Sequence, residues 1–135
     1  MQLGPVKWPA IALCVIATFA IGGLWYSPLL FVKPWLKMSG VDKKVFDAGL
    51  PKALAVDLFA AIVIAIVLNQ VIRWSGAIGL GSALLVSLVV ASGFVASVLV
   101  TQVTYEQRPF AFFAISFGYR FVTFLAMGMI LAAWR

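Results

Sequence analysis

The chain has 135 residues, enough for one domain, of which 64% are hydrophobic and only 10% charged. A soluble domain carries roughly 25% charged residues. A chain this poor in charge cannot cover a water-facing surface, and its mean hydropathy of +1.12 points to lipid as its medium. The net charge of +6 excludes little by itself, but the bases fall mostly between apolar runs, a pattern suited to anionic lipid headgroups and not to nucleic acid.

The first apolar run covers Pro9 to Leu24 and continues through Trp25-Tyr26-Ser27-Pro28-Leu29-Leu30-Phe31, giving a helix over about 9–31. Lys7 ahead of it imitates a signal peptide, with Thr18-Phe19-Ala20 as a poor cleavage site. The run is expected to be retained as a membrane anchor. Pro28 removes a backbone donor and disfavours helical geometry at Ser27, so the helix exits the bilayer there. Were it broken at membrane depth instead, it would line a cavity. From Val32 to Lys52, Trp35, Leu36, Met38, Val41, Val45 and Phe46 intersperse with lysines. That mixture predicts a short segment lying in the headgroup plane, with a solvated loop as the alternative.

Further runs cover about 53–72, interrupted by Asp57 and Asn69-Gln70, then 81–103 without a charge, then 109–134 with Arg120 inside. Each is close to the ~20 residues that cross a hydrocarbon core of ~30 Å. Strand-like alternation is absent, so helices and not a β-barrel are expected. Gly76 suits the end of the second helix. Pro109 is placed to open the fourth, and Pro51 to open the second. The predicted fold class is therefore all-α integral membrane: a four-transmembrane-helix bundle with a short interfacial loop segment between helices 1 and 2.

With four crossings, Trp8, Trp74 and Trp134 fall on the side of the termini, and Trp25, Tyr26, Trp35 and Tyr105 on the side of the helix 1–2 and 3–4 loops. Two aromatic belts result. The loop side holds Lys33, Lys37, Lys43, Lys44, Lys52 and Arg108; the terminal side holds Lys7, Arg73 and Arg135. Six bases against three place the loops in the cytoplasm of a bacterial inner membrane protein and both termini outside. An inverted or dual topology is the alternative.

What is missing excludes most catalysis. Without histidine, and with Cys14 as the one cysteine, there is no hydrolase triad, no imidazole-bound metal or haem and no thiolate cluster. Neither enzyme activity, nor a metal, nor a cofactor is expected. What remains is the pair of intramembrane charges. An arginine at mid-depth costs ~2.5–3.5 kcal/mol on insertion scales, so Arg120 is expected to find Asp57, with Tyr26, Tyr119 and Gln102 as hydrogen-bond supports. Such a pair can lock helix 2 to helix 4, or it can line an ion or proton path. In a third reading the two never meet: Asp57 faces headgroup water and Arg120 snorkels. Small residues recur at four-residue spacing: Ala83, Ser87 and Ala91; Gly93, Ser97 and Thr101; Ala114 and Gly118; Gly128 and Ala132. They predict close helix packing within the bundle and, on a second face, contact with another copy or a membrane partner.

Gly23-Leu24-Trp25-Tyr26-Ser27-Pro28-Leu29-Leu30-Phe31 with Lys33 and Trp35, then Gly93-Phe94-Val95-Ala96, Tyr105-Glu106-Gln107-Arg108-Pro109, Gly118-Tyr119, Met127-Gly128 and Trp134 span nearly the whole chain in order. On these the sequence resembles a bacterial membrane family known as domain of unknown function 1761. The resemblance implies a small four-helix inner-membrane protein and supplies no reaction. The family pattern often has histidine after the glycine-tyrosine, where this chain has Arg120; an arginine stays charged, so a protonation role does not carry over. Trp25, Tyr26, Pro28, Phe31 and Trp35 form its interface motif. The leading expectation is a non-enzymatic structural or accessory component that packs with itself or a larger assembly; the alternative is a small transporter or channel using Asp57 and Arg120.

Overall fold

The apolar runs fold as helices because each then satisfies its own backbone hydrogen bonds without help from solvent. The computed structural model describes residues 3–134. In chain order these form α1 (Trp8–Trp25), α2 (Val32–Ser39), α3 (Lys43–Trp74), α4 (Gly79–Val90), a π-helical turn (Ala91–Val95), α5 (Ala96–Tyr105) and α6 (Phe110–Ala133). Among the described residues there is no strand. Four helices are long and apolar enough to cross a membrane: α1, α3, the continuous run Gly79–Tyr105, and α6. Arg135, counted above among the bases of the terminal side, lies outside the described residues.

Contacts at the two ends fix an up-and-down arrangement. At one end the Lys7 Nζ donates to the Trp134 carbonyl at 2.7 Å, the Gly4 N–H donates to Gln70 Oε1 at 2.8 Å, and Gln70 Nε2 donates to the Gly4 carbonyl at 3.1 Å. At the other end Arg108, in the α5–α6 turn, donates to the Ser39 carbonyl at the end of α2. Within the bundle α6 packs chiefly against α1 and α4. Gly128 permits the α4 contact, because a Cβ there would meet the Ser87 side chain. Cys14, Ala65, Leu68, Ile72, Met127 and Leu131 fill the core. Buried hydroxyls bond within their own helices, Thr18 to the Cys14 carbonyl at 2.8 Å and Ser87 to that of Ala83 at 2.9 Å, and among the described residues no buried side-chain nitrogen or oxygen lacks a partner. The outer faces carry large exposed apolar side chains such as Ile16, Phe59 and Phe94.

Three boundaries differ from the sequence reading. Helix 1 stops at Trp25 instead of running to 31. Tyr26 to Phe31 turn back on themselves, with the Phe31 N–H on the Trp25 carbonyl at 3.1 Å and the Ser27 hydroxyl on that of Leu24 at 2.7 Å. The stretch after it contains a helix of its own, α2, with Lys33 and Lys37 exposed and Trp35 and Leu36 half-buried; Gly40, at φ +74°, closes it. The second long helix begins at Lys43, ten residues before 53, so Pro51 lies inside α3 and does not open it. Pro51 cannot donate to the Asp47 carbonyl one turn back, and both residues are exposed.

Candidate functional site

Counted from their common end of the bundle, Asp57 lies seventeen residues before Trp74 and Arg120 thirteen before Ala133, about 26 and 20 Å along their helices. A long side chain on a helix leans toward that helix's N-terminus, which for Arg120 is the direction of Asp57. The lean closes the offset: Arg120 Nη2 lies 3.6 Å from Asp57 Oδ1. The structure thus brings the two charges of the apolar helices together, yet it does not seal them. The separation is too long for a hydrogen bond, and 30% and 29% of the two side chains remain exposed.

The supports differ from those expected. Gln102 takes no part; it is exposed and donates to Glu106 Oε1 at 3.3 Å. Tyr119 serves through its ring, which carries the Arg120 guanidinium 5.0 Å above its centroid, a cation–π contact. Its hydroxyl reaches instead to the Thr18 carbonyl at 3.4 Å. Tyr26 stands edge-on to Tyr119 (centroids 5.3 Å apart) and to Trp35 (5.7 Å), and Trp35 in turn stacks on Phe112 at 5.5 Å. Among the described residues no acceptor lies within hydrogen-bonding distance of the guanidinium.

Asp57, Arg120, Tyr119, Tyr26 and Trp35 line a cleft of about 880 Å³. Its walls come from α1 (Phe19, Gly22, Gly23 and, just beyond, Tyr26), Trp35 of α2, the leading half of α3 from Phe46 to Ala60, Leu99, and Ser116, Tyr119 and Arg120 of α6. The cleft exists because α3 buries residues only in its second half, at Ala61, Ala65, Leu68, Asn69, Gln70 and Ile72, while its leading half meets the bundle through Phe46 on Trp35 and Asp57 beside Arg120. Glycines keep the walls low. A Cβ added at Gly23 or Gly49 would meet no atom within 4 Å. Gly22 is different, since a Cβ there would press on the Tyr119 ring at 3.1 Å.

The interface motif divides. Trp25 is bound into the bundle, its Nε1 donating to the Ile115 carbonyl at 3.0 Å and its ring filling the space that the missing side chain of Gly118 leaves. Phe31 packs on Trp25 at 5.0 Å, Trp35 joins the cleft, and Pro28 is exposed at the turn. Lys52, Phe46, Gly49 and Ser116 also line the cleft, and sequence reasoning did not single them out as site residues. A void between helices leaves no periodic signal; the lysine among the small residues Gly49, Ala53 and Ala60 was the one local hint.

A family model described as a protein of unknown function (DUF1761) matches residues 9–132. No curated protein and no solved structure matches the chain.

Proposed function

We propose, for a chain that belongs to the DUF1761 family, that it is a multi-pass membrane protein holding an amphiphilic small molecule in the cleft at Asp57 and Arg120, as the binding step of a small carrier. One observation carries this reading: the ion pair opens onto about 880 Å³ of space, within the range of small-molecule sites. A pair that served only to lock two helices would be enclosed by side chains. The loops face the cytoplasm of the inner membrane, following the excess of bases on their side, and the protein carries out no covalent chemistry of its own.

A second reading is favoured by one feature. Of the two small-residue faces on the third crossing, Ala83, Ser87 and Ala91 are buried in the bundle, whereas Gly93, Ser97 and Thr101 are exposed. The exposed face suits close approach of another membrane helix, in a homo-oligomer or an accessory subunit.

Native mass spectrometry of the protein released from mild detergent addresses both readings. The carrier reading expects a bound small molecule that Gly49→Phe, projecting into open space, removes. A bare chain, or an adduct that Gly49→Phe leaves in place, overturns it. Oligomers that survive in the wild type and dissociate in Gly93→Leu would support the second reading; monomers throughout would remove it.

A further inference from the structure

We infer that the cleft selects amphiphiles with an anionic head, a carboxylate or phosphate held by Arg120 and Lys52, and with an apolar tail lying along α1 and the leading half of α3. The inference rests on the cleft being a binding site and adds the chemistry of its ligand.

Charge gives the first reason. Three charged side chains line the cleft: Arg120, Lys52 and Asp57. Their sum is one positive charge. An anion neutralises it, whereas a cation would double it. Donor supply gives the second. A guanidinium offers five N–H groups in a planar fork and no acceptor. Here Asp57 sits at 3.6 Å and the Tyr119 ring takes the flat face at 5.0 Å, so the fork has donors to spare for a carboxylate or phosphate. Such charge-assisted bonds are about twice as strong as neutral ones. Asp57 holds the guanidinium in place without consuming it.

Shape gives the third reason. Apart from Ser116, the rest of the lining is apolar or aromatic, with Phe19, Leu54, Val56 and Leu99 on the walls. A small hydrophilic anion would leave these uncovered; a tail covers them. The Tyr26 and Trp35 rings stand at the same cleft, amphipathic groups suited to the border between a polar head and an apolar chain.

The test uses the full chain in nanodiscs of phosphatidylcholine, with bromine-tagged single-chain probes of equal length that quench tryptophan fluorescence from within the cleft. Alkyl carboxylate and alkyl phosphate are expected to quench saturably and about tenfold more tightly than the trimethylammonium or maltoside probe, a preference that Lys52→Gln and the doubly neutral Asp57→Asn/Arg120→Gln variant each reduce. Gly49→Phe abolishes the saturable part for every head. A cationic or neutral probe that binds as well as the anions overturns the inference and leaves the cleft a binding site. The same holds for an anion preference untouched by both charge variants. No saturable quenching by any probe, with Gly49→Phe indistinguishable from wild type, removes the binding site itself. Adding phosphatidic acid to the bilayer separates the two sources of the head: competition with the alkyl phosphate marks a membrane lipid, and its absence a free amphiphile.

Discussion

Single residues decide where this bundle is tight and where it is open, and two glycines on neighbouring crossings show the contrast. Gly128 lies against Ser87, so a larger side chain has to displace α4; Gly93 faces outward with nothing within 4 Å of a Cβ. Gly128→Leu is therefore expected to destabilise the protein by about 1–3 kcal/mol, the usual cost of overpacking. Gly93→Leu should leave the monomer unchanged or slightly stabilised, because replacing glycine within a helix recovers part of its entropy cost. Thermal unfolding of both variants in the same detergent checks this; equal losses would mean that the α4–α6 contact is not the tight one. Both glycines belong to four-residue patterns that look alike in the sequence. The pattern announces close packing, but only the tertiary arrangement says on which side the neighbour stands. Asp57 and Arg120 were legible for the opposite reason: an isolated charge in an apolar run has few options, and one carboxylate was in reach.

Among the elements, the four long helices follow from runs of apolar residues, whose length and lack of alternation point to helices and not strands. The elements that the sequence concealed are the ones held by contacts across the chain. The leading turns of α3 are rich in charge and contain Pro51, which read as a helix start; they persist as helix with Phe46 packed on Trp35 at 5.7 Å. α2 has eight residues, too few to be stable alone in water. It is fastened at its end by Arg108, which donates to the Ser39 carbonyl, pairs with Glu106 at 3.0 Å and lies over the Phe112 ring at 5.0 Å. Arginine complements the negative end of a helix dipole, so one side chain caps α2 and ties it to the α5–α6 turn. Arg108→Met keeps the bulk and removes the bond. A hydrogen bond to a charged group is worth about 1.5–3 kcal/mol, so amide exchange in residues 36–41 should accelerate by about tenfold or more while exchange in α6 stays as it was. Unchanged protection of α2 would show that Trp35 packing alone holds it. The cleft inherits this arrangement, since Trp35 and the leading half of α3 are two of its walls.

At the scale of the whole molecule, the decisive asymmetry is one of charge between the two ends. The end holding α2 and the start of α3 carries the lysines, and Lys33 and Lys37 are exposed along one face of α2. The opposite end uses Lys7 on the Trp134 carbonyl, so one of its few bases is engaged within the protein. The cleft opens among walls nearer the lysine-rich end, close to where anionic lipid would be concentrated. If that end is cytoplasmic, an anion-headed ligand would meet the cleft from the cytoplasmic leaflet. The orientation can be read from two single cysteines in a Cys14→Ala background: Lys37→Cys on α2, and Ile78→Cys, 88% exposed between α3 and α4. A membrane-impermeant maleimide is expected to label Ile78→Cys in spheroplasts with an intact inner membrane, and Lys37→Cys only after permeabilisation. The reverse pattern would invert the protein and hand the cleft to the outer leaflet, leaving the binding chemistry intact but changing the direction from which ligand arrives. Labelling of both sites in intact spheroplasts would mean dual insertion, and a six-to-three excess of bases would then be too small to hold one orientation.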